Sequence, residues 1–580
     1  MSSNNLLFSQ MSYTLGTLLA QIELGSIGLP DIQRPFVWRN AKIRDLLDSM
    51  YQGFPVGYLL LWQSANAHGT QAIGVDGKQT IPNLLIVDGQ QRLTSLYAVF
   101  QRKQVMREDY SHEYIEIAFH PLEQKFEVTD AAIRRDKNWI PDISVIWSKN
   151  HGLFKLFEQY KTGLGGLSDE QATLVQENLQ RVQNLANYPF QAMVLFADVT
   201  EEQVSQVFVR INSKGQRLNE TDFILTLMSV YWDEGRHQLE QFARAAKLPS
   251  TQQSPYNHFM QPDPAQLLRV AIGLAFRRGR MQSVYSLLRG KDLQTGVFSE
   301  QSRNSQFALL QKAQSHTLNV QYWKDFLKCL LHAGVRSNRE ISSQNAVLFT
   351  YVFYLIGRVD YQLSNDQLRG PIARWYFFAS LTGRYTNSPE SALESDLMQL
   401  REHKDGTGFL RVIERNIEAS FTDDYWHVTL PNDLATSASR GPALSAYHAA
   451  LCKLDATALF SKLKVSDLLD PSMSGTKSAV ERHHLFPKKY LEKLGVREIF
   501  QTNQIANYAL LEWDVNIVIS DSEPRAYWAT YNTKMTDSER SNMMHWHALP
   551  DQWYELPYEE FLRVRRGLIA GVIRDGFGQI

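Results

Sequence analysis

The stretch LLIVDGQQRLTSL, Leu84 to Leu96, decides how the first part of the chain is read. An apolar run of strand length ends in Asp88 and Gly89 and then opens a helix. Gly89 permits a tight turn, and the helix that follows presents unpaired backbone N–H groups. A junction of this kind suits an anion or a phosphate. Asp88 is placed to hold a metal ion, and Gln91 and Arg92 to meet phosphate oxygens. No GxxxxGK[ST] run occurs, which argues against a P-loop NTPase. From the residues alone, the stretch is either a phosphate or nucleotide site or a satisfied polar network at a domain junction.

Around it, strand and helix signals mix as far as residue 235. Tyr58–Trp62 reads as a strand, and Tyr114–Phe119 with Phe126–Val128 as a hairpin. Lys42–Tyr51 has helical spacing at Ile43, Leu46, Leu47 and Met50, closed by Gly53 and Pro55. Two more polar clusters lie nearby. One is Ile32-Gln33-Arg34-Pro35-Phe36-Val37-Trp38. The other is Phe208-Val209-Arg210-Ile211-Asn212, which leads through Gly215 to a helix capped near Asn219 with Asp222.

Residues 236–465 read as a mainly helical middle domain, with helices expected at Gln266–Phe276, Tyr322–His332, Asn345–Ile356 and Ile372–Leu381. From 466 to 580 the pattern changes again. Turn signals at Asp470-Pro471 and Ser474-Gly475 precede a compact His/Asn segment and a helix near Tyr558–Ile569. The expected fold class is α+β and multidomain.

Composition narrows the function classes. In 580 residues, 60 basic side chains face 61 acidic ones, which excludes a globally basic nucleic-acid coat protein but not a local basic groove. The two cysteines, Cys329 and Cys452, exclude a disulfide framework or a cysteine-rich zinc module and suit a reducing compartment. Without an apolar run of membrane-spanning length or a secretory signal pattern, a cytoplasmic protein with no membrane partner is expected.

The sharpest chemistry lies in ERHHLFP, Glu481–Pro487, followed by Asn507 in IANYALL and by Asn516. Phosphodiester cleavage needs a base to activate water and a divalent cation to neutralise charge on the phosphate and leaving oxygen. Adjacent residues on a strand point to opposite faces, so the chain must turn here if one histidine is to hold metal while the other meets water. A bare His-His pair is also met as a surface or capped pair.

The whole run resembles the HNH (ββα-metal) nuclease motif. The resemblance implies that His483 and Asn516 are metal ligands and His484 the general base. It implies that Asn507 holds the loop and orients that base. One imidazole with oxygen ligands suits Mg2+ or Mn2+. The gap before Asn507 is longer than the motif's, with a helical insert at Lys488–Leu494. His545-Trp546-His547 reads either as a second metal pair on one strand face or as polar residues flanking a buried Trp.

IQRPFVW, DGQQRLTSL and FVRIN together resemble the N-terminal domain of the GmrSD-type, modification-dependent (type IV) restriction endonucleases. HHLFP with its asparagines resembles their GmrD nuclease part, and the order is similar also to the SspE effectors of phosphorothioate-based defence. The resemblance implies a ParB/sulfiredoxin-like α/β domain at 1–235 that binds and hydrolyses GTP or ATP. A helical middle domain at 236–465 and an HNH nuclease at 466–580 would follow. By position, Asp88, Gln90, Gln91, Arg92, Arg210 and Asn212 would form the nucleotide site, with Gln33 and Arg34 beside it or sensing modified DNA. The expected partners are DNA, chiefly modified phage DNA, a nucleoside triphosphate and a second copy of the chain as homo-oligomer.

DNA contact is expected from local basic clusters: Arg277-Arg278-Gly279-Arg280 with Arg289 and Lys291, Lys488-Lys489, and Arg563 with Arg565-Arg566. Two alternatives stand beside the antiphage endonuclease. One is a nucleotide-controlled switch with an inactive HNH fold; the other is an RNase or nickase using the same site.

Overall fold

The computed structural model describes residues 6–28, 38–63, 83–107, 112–148, 152–199, 203–204, 207, 220–292, 295–438, 441–473 and 480–580. Gln33, Arg34, Arg210, Asn212, Gly215, Asn219 and the Ser474-Gly475 turn lie outside them. The fold is α+β and mostly helical, in two units, Met1–His237 and Gln238–Ile580. Among the described residues no helix is long and apolar enough to cross a membrane.

The first unit holds a mixed sheet. Its strands are β1 (Phe8–Thr14), β2 (Ile27–Gly28), β3 (Leu59–Gln63) and β4 (Leu84–Asp88). Two hairpins follow, β5 (Gln104–Met106) with β6 (His112–Tyr114) and β7 (Ile117–His120) with β8 (Lys125–Val128). The last strand, β9 (Pro189–Leu195), returns to the sheet, whose order is β1-β9-β3-β4-β2. Strand β3 is central, which explains its unbroken apolar run. Leu59 and Leu61 enter the main core with Ile86 and Leu93, while Leu60 and Trp62 join a smaller cluster with Leu195. A strand buried on both faces has no polar side. Helices α1 (Leu15–Glu23), α2 (Asn40–Tyr51) and α3 (Gln90–Phe100) bring Leu18, Ile22, Leu47 and Leu96 to the main core.

The alternation expected over Tyr114–Phe119 is cut at Ile115-Glu116 into β6 and β7. Strand β1 has no strong signal because FSQMSYT, paired on its β9 side, keeps most of its side chains exposed or half-exposed.

In the second unit the helix Gln344–Leu355 is apolar all round, and Ala346 to Leu355 are all buried. Helices Pro264–Phe276, Val320–His332 and Asn365–Leu381 surround it. Their starts lie upstream of the apolar pattern because capping sets them. Asp263 with Gln266 and Ser364 with Gln367 form capping boxes, and the second helix runs on through Pro371. The helix near Tyr558 is also longer than its pattern, reaching Gly578. Its buried stripe includes Phe561, Arg565, Ile569, Val572, Ile573 and Gly576, so an arginine takes one core position. At Gly576 a Cβ would fall 2.5 Å from Ala450, and this close approach seats the helix against Pro442–Lys453.

This packing corrects part of two basic clusters expected to meet DNA, at Arg277, Arg278 and Arg565, and leaves Arg280 and Arg563 exposed. Arg277 pairs with Asp360, and Arg278 donates to Glu394, which also takes the backbone N–H of Gly279 at 2.6 Å. Glu394 is buried, so Arg278 is neutralised within a helix junction. Arg565 is fully buried and reaches no solvent.

Candidate functional site

Two sets of sequence-selected residues can be placed. The first is the junction at the end of β4. Gly89 adopts φ +93°, and a side chain there would meet Leu59 of β3. The residue must therefore be glycine for the turn to close against the sheet. Arg92, one turn into α3, does not project from the junction. Its Nη1 donates to the carbonyl of Val56 at 2.5 Å and its Nη2 to that of Tyr58 at 2.8 Å. Asp88 lies 3.7 Å from the same guanidinium. Burial lowers the Arg92 pKa, and the Asp88 charge works against that shift. Gly57 stands at φ +90°, and a Cβ there would come within 2.7 Å of Arg92 Nη1. Arg92 thus clamps the chain entering β3. Asp88, Gln90 and Gln91 are half-buried beside it.

The second set is brought together by strands β10 (Val480–His484) and β11 (Tyr508–Glu512), which pair antiparallel with His483 opposite Ala509 and His484 opposite Tyr508. The chain bends directly after His484, and the helix Trp513–Ile519 follows β11. Leu485 and Phe486 are buried, and Phe486 packs on Trp553, Tyr558 and Phe561. The apolar pair after the histidines is thus the anchor that fixes the bend.

The two imidazoles leave β10 toward different partners. His483, 4% exposed, places Nδ1 2.8 Å from Asn516 Oδ1. An amide oxygen only accepts, so Nδ1 carries the hydrogen in this contact. Its Nε2 is buried and makes no hydrogen bond. Burial lowers its pKa to about 4; the Asn516 bond opposes this and His484 adds to it. His484 is half-buried, rests on the Tyr508 ring at 4.7 Å, and places Nε2 3.0 Å from Asn503 Oδ1. Its pKa is also lowered, first by burial and then by Lys488, with the Asn503 bond opposing. Both rings are therefore neutral near pH 7.

Asn507 is fully buried and spends its side chain on backbone. Its Oδ1 accepts from Phe486 N at 2.9 Å, and its Nδ2 donates to the carbonyls of Phe486 at 3.1 Å and Thr502 at 3.0 Å. It staples the bend to the end of the insert but does not touch His484. Arg565 braces it from behind. The guanidinium donates to the carbonyls of Ala506 at 2.6 Å and Tyr508 at 2.8 Å, the neighbours of Asn507 on either side, and to that of His547. Tyr558, from the same helix, donates to the carbonyl of Gln501 at 2.8 Å.

Sequence reading missed Asn503 and misplaced Arg565. The only signal for Asn503 was a polar Thr502-Asn503-Gln504 run ahead of Asn507. His545 and His547 do not form a pair on a strand. They end the helix Asp537–Trp546, where His547 is buried against the Thr457 carbonyl and His545 lies exposed near Asp575. Among the described residues, no three His, Cys, Asp or Glu side chains converge as a metal site.

Residues 15–229 match the family model of the GmrSD restriction endonuclease N-terminal domain. This part of the chain is similar to a GmrSD N-terminal domain. The DGQQR junction lies inside the GmrSD match, and the paired histidines lie beyond it. An uncharacterized protein of Methanocaldococcus jannaschii is 18% identical over 543 residues, spanning 87% of this chain and 84% of that protein.

Proposed function

We propose that this chain is a restriction-type defence endonuclease. An N-terminal GmrSD domain of ParB-like fold would sense modified DNA and nucleoside triphosphate, and a C-terminal ββα-metal (HNH) site would cut the DNA. The reading is carried by one arrangement: His483 against Asn516, and His484 beside them on the same strand, all on a strand-strand-helix unit stapled by Asn507. The GmrSD match at residues 15–229 supports the defence context.

The donors fit a hard divalent cation. His483 is held neutral by burial, as a metal-bound imidazole must be. Its Nδ1 and the Asn516 oxygen, 2.8 Å apart, are hydrogen-bonded without metal; with the hydrogen moved to Nε2 both would be free to hold the ion. Mg2+ or Mn2+ held there would neutralise charge on the scissile phosphate and on the departing oxygen. The protein's own step belongs to His484: a neutral imidazole takes the proton of the attacking water as the new phosphorus–oxygen bond forms and the bond to the departing oxygen breaks, its electron pair going to that oxygen. Tyr508 and Asn503 fix that ring, and exposed Lys488 offers a phosphate contact. In the GmrSD domain, Asp88, Gln90 and Gln91 are the residues offered to nucleotide, GTP or ATP, while Arg92 shapes the turn that presents them. Gln33, Arg34, Arg210 and Asn212 belong to the same proposed site by sequence.

The test is cleavage by the full chain and by His484→Ala. Substrates are unmodified, hydroxymethylated, glucosylated and phosphorothioate DNA with Mg2+ or Mn2+, with and without GTP or ATP. The reading expects cutting by the wild type alone, dependent on modification and nucleotide. Cutting by His484→Ala, or cleavage of RNA in place of DNA, would overturn it.

A further inference from the structure

We propose that Asn503 is the positioning residue of His484: it holds the ring with hydrogen on Nε2 and leaves Nδ1 as the nitrogen that receives the proton. This rests on the nuclease reading above and assigns the base's orientation to a residue outside the motif. The geometry points to it in three ways.

First, Asn507 spends both amide hydrogens on the carbonyls of Phe486 and Thr502 and turns its oxygen to Phe486 N, so its side chain is directed at the loop backbone and makes no hydrogen bond to the ring. Second, the group that does meet His484 is the Asn503 amide oxygen, 3.0 Å from Nε2. An oxygen can only accept, so the contact selects one tautomer. Among the described residues the ring's one hydrogen bond is this contact at Nε2. Third, Asn503 is itself held in place. Its N–H donates to the Ile499 carbonyl at 2.9 Å, and the carbonyl of Thr502 just before it is gripped by Asn507 Nδ2 at 3.0 Å. Asn507 therefore orients the base only at second hand, by placing the residue that does.

The test uses the full chain with Asn503→Leu, similar in shape but without an acceptor, and Asn503→Asp, which keeps an oxygen in place. Two readouts are taken. The first needs no activity: 15N-histidine correlation spectra, with the His484 signal identified by its loss in His484→Ala. The Nε2–H tautomer is expected in the wild type and in Asn503→Asp, and a mixture of tautomers in Asn503→Leu. The second is cleavage of the phage DNA types above with Mn2+. Asn503→Leu should lower kcat about 10- to 100-fold with KM unchanged, because a misplaced ring costs rate and not binding. Asn503→Asp should recover most of that loss. An Nδ1–H tautomer in the wild type, an unchanged spectrum in Asn503→Leu, or undiminished kcat overturns the assignment. A thermal melt separates a fold defect, in which Asn503→Asp would fail to restore kcat. If the wild type cuts no DNA, the nuclease reading fails, and the spectra still decide whether Asn503 fixes the ring.

Discussion

The DGQQR junction and the paired-histidine strand both end a strand in a polar cluster, yet they use their charged groups in opposite ways. At the first, Arg92 turns inward and is consumed by the carbonyls of Val56 and Tyr58. At the second, the buried arginine comes from another element. Arg565 sits behind the site and holds the backbone around Asn507, so the cluster's own His484 is not used as scaffold for that backbone. The same residue type is scaffold in both places. What differs is whether the motif supplies its own scaffold or borrows it.

The largest effect expected from breaking this contrast is on rate. His484→Ala should reduce cleavage about 100- to 10,000-fold while leaving nucleotide hydrolysis and the melting profile intact, as single-turnover assays and calorimetry would register. Next comes the borrowed scaffold. Arg565→Met leaves three carbonyls without their buried donor, and unfolding free energy should fall by about 3–5 kcal/mol. Denaturant titration of the full chain measures it, and a change below about 1 kcal/mol would mean water replaces the guanidinium.

Acid should act on the C-terminal unit through His547. Burial holds its pKa at about 4 against an ordinary 6.5. Between those values the unfolded chain binds the proton and the folded one does not, so stability present above pH 6.5 is lost as pH falls toward 4. The full loss is about 3 kcal/mol, and His547→Gln should reduce the steepness of stability against pH in that window.

The smallest effects sharpen the other side of the comparison. Arg92→Lys cannot serve both carbonyls and should cost about 1–3 kcal/mol, whereas Asp88→Asn should stay within about 1 kcal/mol of wild type. If Asp88 is the residue offered to nucleotide, Asp88→Asn loses hydrolysis with its melt preserved. If hydrolysis instead survives in Asp88→Asn, the junction is scaffold throughout.

The elements that packing makes apolar were legible: β3, β4, the β7–β8 hairpin and the central helices follow their periodicity. Helix starts were not, since Asp263 and Ser364 set them through side-chain caps upstream of the apolar stripe. In the site, His483 and Asn516 were paired through the resemblance to the HNH motif, and the structure does bring them together. Asn503 and Arg565 were not, because each acts across a loop closure that spacing does not reveal. Arg565 was the more misleading. An arginine in a basic run reads as surface, and only the buried stripe of its helix shows that it fills a core position.

The brace is made late in synthesis. Arg565 follows Ala506 by 59 positions, so a growing chain makes both histidines and all the site asparagines well before the guanidinium that steadies them. If this site cuts as proposed, it would mature late, after the N-terminal unit has been made. Chains stopped short of position 565 should carry every motif residue and still fail to cut, which a nonsense-codon series assayed for toxicity would reveal. A cell making such a nuclease would gain a timing safeguard from the place of one buried side chain.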